Sequence, residues 1–258
     1  MSPAEFAFLV AAGIAGGLSG SIAGLASLAT YPALLAIGLP PVTANVTNTV
    51  ALVFTGVGSV LGSRPELKGQ APRLKRLAPV AMLGGAVGAA LLLSTPAEGF
   101  EKLVPLLLGF ASLTILVPRR RKAVSVGDEA APDTGLSTAQ LVGQGGAIFL
   151  IAIYGGYFGA AAGVLLLALL LRTMHTTLPR TNAAKNVILG IANGVAALAF
   201  VFLAPVQWSA VIPLGIGCLV GSRMGPSVVR WAPALILRML IGAAGLALAI
   251  KLGVQAYS

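Results

Sequence analysis

The residues that could do chemistry in this chain are few, and one of them is charged. Lys185 lies in Thr181-Asn182-Ala183-Ala184-Lys185-Asn186, at the start of an apolar region. An ammonium inside a membrane segment is costly and normally functional. The spacing predicts a helix beginning near Asn182, with Lys185 one turn or less inside it. The unpaired N–H groups and positive dipole end of such a helix attract anions. With the amides of Asn182 and Asn186 and the Lys185 charge, they suit a small oxyanion. The plainer alternative is a lysine that snorkels to the headgroups. A second polar cluster, Asn45-Val46-Thr47-Asn48-Thr49, also opens an apolar segment. Its side chains can bind a solute, cap a helix or bond a neighbouring helix. Ser19, Ser21 and Tyr157 stand among glycines, and Asn193 lies two turns beyond Asn186. The candidate substrate-binding residues are therefore Asn45, Thr47, Asn48, Asn182, Lys185, Asn186, Ser19, Ser21, Tyr157 and Asn193.

Absences narrow the chemistry further. The seven carboxylates, Glu5, Glu66, Glu98, Glu101, Asp128, Glu129 and Asp133, all fall outside the apolar segments. A carboxylate proton relay or a carboxylate metal site within the membrane is excluded. One cysteine, Cys218, permits no disulfide framework or cysteine-rich metal site. One histidine, His175, cannot form a two-histidine site. No metal, cofactor or enzymatic nucleophile is expected, because Ser21 has no histidine or aspartate near it to act as base.

The elements that must hold these residues belong to a membrane. Of 258 residues, 57% are hydrophobic and 9% charged, with mean hydropathy +0.94. Soluble domains carry about 25% charged residues. These figures exclude an ordinary soluble globule and a disordered chain. Strict short alternation, the mark of a membrane β-barrel, is missing. The net charge of +10 raises the question of nucleic acid. Its distribution answers it: Arg64, Lys68, Arg73, Lys75 and Arg76, then Arg119–Lys122, sit in short loops beside apolar segments. That is the pattern of cytoplasmic loops. Met1–Glu5 lacks the basic residues of a secretory leader, so the first apolar segment is read as retained.

Six apolar stretches, 43–63, 77–95, 103–118, 183–204, 207–222 and 233–251, have roughly the length of a span. Two others, 6–36 and 141–171, each run 31 residues without a charge. As straight helices they would be roughly 46 Å long, too long for a hydrocarbon core of about 30 Å. Glycines at their centres leave arms of about 15 residues, too short for two spans. Each is therefore read as a re-entrant hairpin of half-helices, lining protein or a watery cavity.

The two long stretches share one pattern. Gly16-Gly17-Leu18-Ser19-Gly20-Ser21-Ile22-Ala23-Gly24 and Gly155-Gly156-Tyr157-Phe158-Gly159-Ala160-Ala161-Ala162-Gly163 both read G-G-x-x-G-x-x-x-G at an offset of 139. The same offset superimposes Leu39-Pro40 on Leu178-Pro179; the polar clusters behind them align only to within two residues. Glycines of this kind also serve close helix packing. Repeated halves with interrupted helices point to a transport site at the membrane midplane. Loops 64–76 and 119–140 are basic and placed inside, and 96–102 outside. With re-entrant hairpins, the loops carrying Arg180 and Arg223 also fall inside, and each half keeps three spans. An odd number of spans inverts the second half relative to the first. The expected architecture is an all-α polytopic membrane protein of two inverted repeats: residues 1–118, a cytoplasmic linker at 119–140, and 141–258.

Thr30-Tyr31-Pro32-Ala33-Leu34-Leu35 followed by Ala44-Asn45-Val46-Thr47-Asn48 resembles the first half of the sulfite exporter TauE/SafE family. Gly155–Gly163 and Thr181–Asn186 resemble its second half. The likeness covers essentially the whole chain. It implies a multi-pass transporter in the cell membrane, carrying sulfite, a sulfonate or another small sulfur-containing anion, usually outward. The expected partners are that anion and the bilayer, with no nucleic acid; self-association as a homo-oligomer is left open. An anion channel of similar architecture, or a carrier of another small anion, is the alternative reading.

Overall fold

A computed structural model describes residues 1–116, 138–174 and 176–231, with scattered positions between 243 and 254. Most of the expected linker, His175 and most of the expected span at 233–251 lie outside the described residues. Among the described residues the secondary structure is helical throughout. In chain order the helices are α1 (Pro3–Ala23), α2 (Ala26–Ala36), α3 (Pro41–Gly62), α4 (Arg64–Leu67), α5 (Ala71–Ser94) and α6 (Ala97–Leu116). The second half supplies α7 (Thr138–Tyr157), α8 (Ala162–Thr173), α9 (Leu178–Leu203) and α10 (Trp208–Trp231). The expected spans 43–63, 77–95 and 183–204 coincide with α3, α5 and α9. The described part of 103–118 falls in α6, and 207–222 falls in α10 from Trp208 onward.

Both 31-residue stretches break, but not at their centres. A capping box starts α1: Ser2 Oγ accepts from the Glu5 N–H, and Glu5 returns a carboxylate oxygen to the Ser2 N–H. The helix then runs for 21 residues and ends at Gly24, whose φ of 76° is left-handed. Without a Cβ, glycine adopts that geometry at little cost. The second stretch breaks after Tyr157, through Gly159 at φ 73° and Ala161 at φ 60°. The arms are thus unequal, 21 and 11 residues in the first half and 20 and 12 in the second. The expectation of two arms of about 15 is corrected: by length and composition α1 can cross a bilayer. Gly16 and Gly17 do not break the helix because their surroundings need close contact instead. A Cβ on Gly16 would strike the Thr30 side chain at 2.3 Å, and one on Gly17 the Cys218 carbonyl at 2.4 Å.

After the break α2 returns antiparallel along α1, with Ala26 against Gly20 and Thr30 against Gly16. The halves are exchanged in their packing. α1 lies chiefly along α10 and α7 along α5, while α3 packs on α10 and α9 on α5. Glycines permit both close pairs. Gly84 and Gly88 of α5 touch the α7 backbone at Phe149, Ile153 and Tyr157, and Gly217 and Gly221 of α10 touch the α1 backbone at Val10 and Ile14. At the centre α3 crosses α9 with Gly56 against Gly190.

Candidate functional site

The glycine repeat converges in space. Gly24 and Gly163, equivalent at the offset of 139, meet backbone to backbone, and a Cβ on Gly24 would lie 2.3 Å from the Gly163 Cα. Beside this contact is a cavity of about 50 Å³. At 10–15 Å³ for one water centre, that is room for roughly four waters or one small ion. Gly20, Gly24, Gly159 and Gly163 wall it from the two breaks, and Gly56 and Gly190 from the α3–α9 crossing. Its polar groups are Ser27, Thr55, Ser59, Asn186 and Asn193. Ser59 Oγ is enclosed and has no hydrogen-bond partner.

Two of the sequence candidates, Asn186 and Asn193, line this cavity. The others are engaged around it. Asn45 donates to the Tyr157 carbonyl at 2.8 Å, capping the end of α7. Asn182 donates to the Ser21 carbonyl at 2.8 Å in the last turn of α1. Each is the fifth residue of its helix, and each keeps a buried Oδ1 without a partner. Thr47 accepts from the Gln207 N–H at 3.0 Å. Asn48 accepts from Thr30 and donates to Ser27. Ser19 donates to the carbonyls of Gly16 and Leu25. Ser21 Oγ turns back to Leu18. The Tyr157 hydroxyl donates to Thr95 Oγ1, its ring against Phe100.

Lys185 is fully buried, the one charged side chain in the buried set among the described residues. Its ammonium donates to the carbonyls of Gly20 at 3.1 Å and Ser21 at 3.4 Å. Asn186 adds a third donor to Ser21, at 3.2 Å. The expected helix start near Asn182 is corrected as well. α9 begins at Leu178 with Pro179 in its first turn, because proline fits where no N–H partner is available. Lys185 is thus the eighth residue of α9, and the free N–H groups lie a turn before Asn182. The lysine meets the negative end of α1, not the positive end of α9.

Ser27, Thr55 and Ser59 were not among the sequence candidates. Thr55, Gly56 and Ser59 carried a signal: hydroxyls four residues apart beside a glycine give one polar stripe on an apolar helix. Ser27 carried none before α2 was folded back on α1.

Helices broken within apolar segments around a cavity lined by glycines and a few polar side chains are the mark of a multi-pass membrane transporter. The chain belongs to the sulfite exporter TauE/SafE family, whose model matches residues 9–252. It is 28% identical to a "Probable membrane transporter protein" of Sinorhizobium sp, over 95% of this chain and 91% of that protein. Identity to a protein of the same description from Haemophilus influenzae is 24%, over 91% and 89%. To one from Escherichia coli K12 it is 24%, over 89% and 82%. No solved structure matches the chain.

Proposed function

We propose that this protein carries a small sulfur-containing oxyanion, sulfite or an organosulfonate, out of the cell by alternating access around the cavity between the two breaks. The observation that carries the reading is the cavity wall itself. Both broken helices and both long crossing helices contribute to it, so relative movement of the halves would remake it. Ser27, Thr55, Ser59, Asn186 and Asn193 line it, and their hydroxyl and amide side chains are of types that donate to oxyanion oxygens. Lys185, Asn182, Asn45 and Asn48 hold the broken ends from behind, and the Lys185 charge favours a negative solute. The family description supports the sulfur-containing substrate and the outward direction.

The exchanged packing supports two repeats of inverted topology. α1 and α3 both run parallel to α10, so the return of α2 leaves α3 starting from the side where α1 began. A chain that leaves and returns to one side in this way is what two inverted repeats would need. The test is uptake of labelled sulfite into proteoliposomes, with methanesulfonate, sulfate and acetate as competitors. Saturable sulfite flux, competed by the sulfonate and lost in Asn193→Leu, is expected. Flux absent from the wild type, or unaltered when leucine fills the cavity, overturns the assignment.

A further inference from the structure

The broken end of α1 carries a feature that α7 lacks. The last turn of α1 is buried within the protein, so its final carbonyls point a partial negative charge into surroundings without water. In transporters such half-helix ends commonly coordinate a cation. Here the ammonium of Lys185 occupies that place, at 3.1 and 3.4 Å from the Gly20 and Ser21 carbonyls. Asn182 and Asn186 complete the set on Ser21. At the end of α7, among the described residues, only the Asn45 amide donates a side-chain hydrogen bond to the Tyr157 carbonyl. The residue matching Lys185, the eighth of α3, is Asn48, which turns to Ser27 and Thr30 on α2. The α8 positions matching those two are Leu166 and Leu169, which offer no polar partner. The lysine is therefore not a second copy of the Asn48 contact.

We infer that Lys185 is a resident, covalently attached cation for the C-terminus of α1, and that the transport cycle uses no bound Na⁺ or K⁺ at that helix end or as its driving ion. Lys185 is a positioning residue: it fixes the glycine wall of the cavity through Gly20, which lines it. It does not ligate the solute. A long side chain that snorkels in from α9 brings its charge without the desolvation of a free ion at every turnover.

The test has two arms. Only the flux arm rests on the transport reading above. Wild-type sulfite flux is measured with Na⁺, K⁺ or choline as the sole monovalent cation on both sides, and equal rates are expected. A collapse of flux in choline overturns the inference, whereas no flux in any cation strikes the substrate assignment instead. In the second arm the melting temperature of detergent-purified protein is followed as each cation is varied, with no substrate present. The wild type is expected to be insensitive. Lys185→Ala should melt several degrees lower and recover in ammonium or methylammonium chloride, but not in choline chloride. Lys185→Arg should hold most of the wild-type value. A wild type stabilised by Na⁺ overturns the inference, as does a Lys185→Ala protein that melts like wild type. If Lys185→Ala cannot be purified, the wild-type cation series still decides.

Discussion

Gly24→Ala is expected to be among the most damaging single-methyl additions in the molecule. Two independent costs meet there. The φ of 76° is left-handed, and an L-residue pays roughly 1–2 kcal/mol to adopt it. The new Cβ would also sit 2.3 Å from the Gly163 Cα, 2.5 Å from its carbonyl carbon and 3.0 Å from the Val164 nitrogen. All three are main-chain atoms and cannot rotate away. Overpacking of this kind costs about 1–3 kcal/mol, so the sum is about 2–5 kcal/mol. Total stability is about 5–15 kcal/mol, so a large share of it would go. At about 2–4 °C per kcal/mol the melting temperature should drop by roughly 4–20 °C. Gly163→Ala separates the terms. Its Cβ would lie 2.4 Å from the Gly24 Cα, but its backbone is not left-handed, so it should lose only the packing share. Gly194→Ala is the opposite case. It lies inside α9 with no atom within 4 Å of the new methyl, and alanine there should gain about 0.5–1 kcal/mol. The assay is thermal unfolding of the three variants in one detergent, read by tryptophan fluorescence. The reasoning is refuted if Gly24→Ala melts with the wild type, or if Gly194→Ala loses as much as Gly24→Ala.

Asn45→Ala should be more damaging than Asn182→Ala, despite their equivalent places. Asn45 is the donor on the part-buried Tyr157 carbonyl, and leaving such an acceptor bare costs at most about 1–3 kcal/mol, the figure for a fully buried one. The Ser21 carbonyl still holds Lys185 and Asn186 when Asn182 is gone; equal melting temperatures for the pair would contradict this. Gln70→Ala should loosen the loop around α4. The Gln70 amide donates to the Glu66 carbonyl at 2.8 Å and to the Arg180 carbonyl at 3.0 Å, and Arg180 donates to the Lys68 carbonyl at 2.8 Å. Faster tryptic cleavage after Lys68 is expected, and an unchanged time course would count against the clamp.

The repeat was visible in the sequence because glycine is conspicuous, but its register was not. The glycines align at 139, whereas the working pairs align at 137: Asn45 with Asn182, Gly84 with Gly221, Gly88 with Gly225. Asn45 and Asn182 show their kinship in the carbonyl each caps on the other half, and no local pattern announces that contact. Likewise Gly16-Gly17 looked like a break from composition alone. Glycine permits both a turn and a close approach, and the neighbour decides which; for Gly17 that neighbour is Cys218, some 200 residues away in the chain.

Composition by itself determined the solvent. A chain this apolar, with its basic residues gathered in loops and its carboxylates outside the apolar segments, has to thread a bilayer as helices, because hydrocarbon satisfies no backbone group. Sequence also determined that two segments were too long to be single straight spans. Only tertiary structure decided which groups Lys185 meets. Whether a buried ammonium meets a solute or a carbonyl depends on which helix end lies opposite, and that is set by the packing of α1 against α9, between residues more than 160 positions apart.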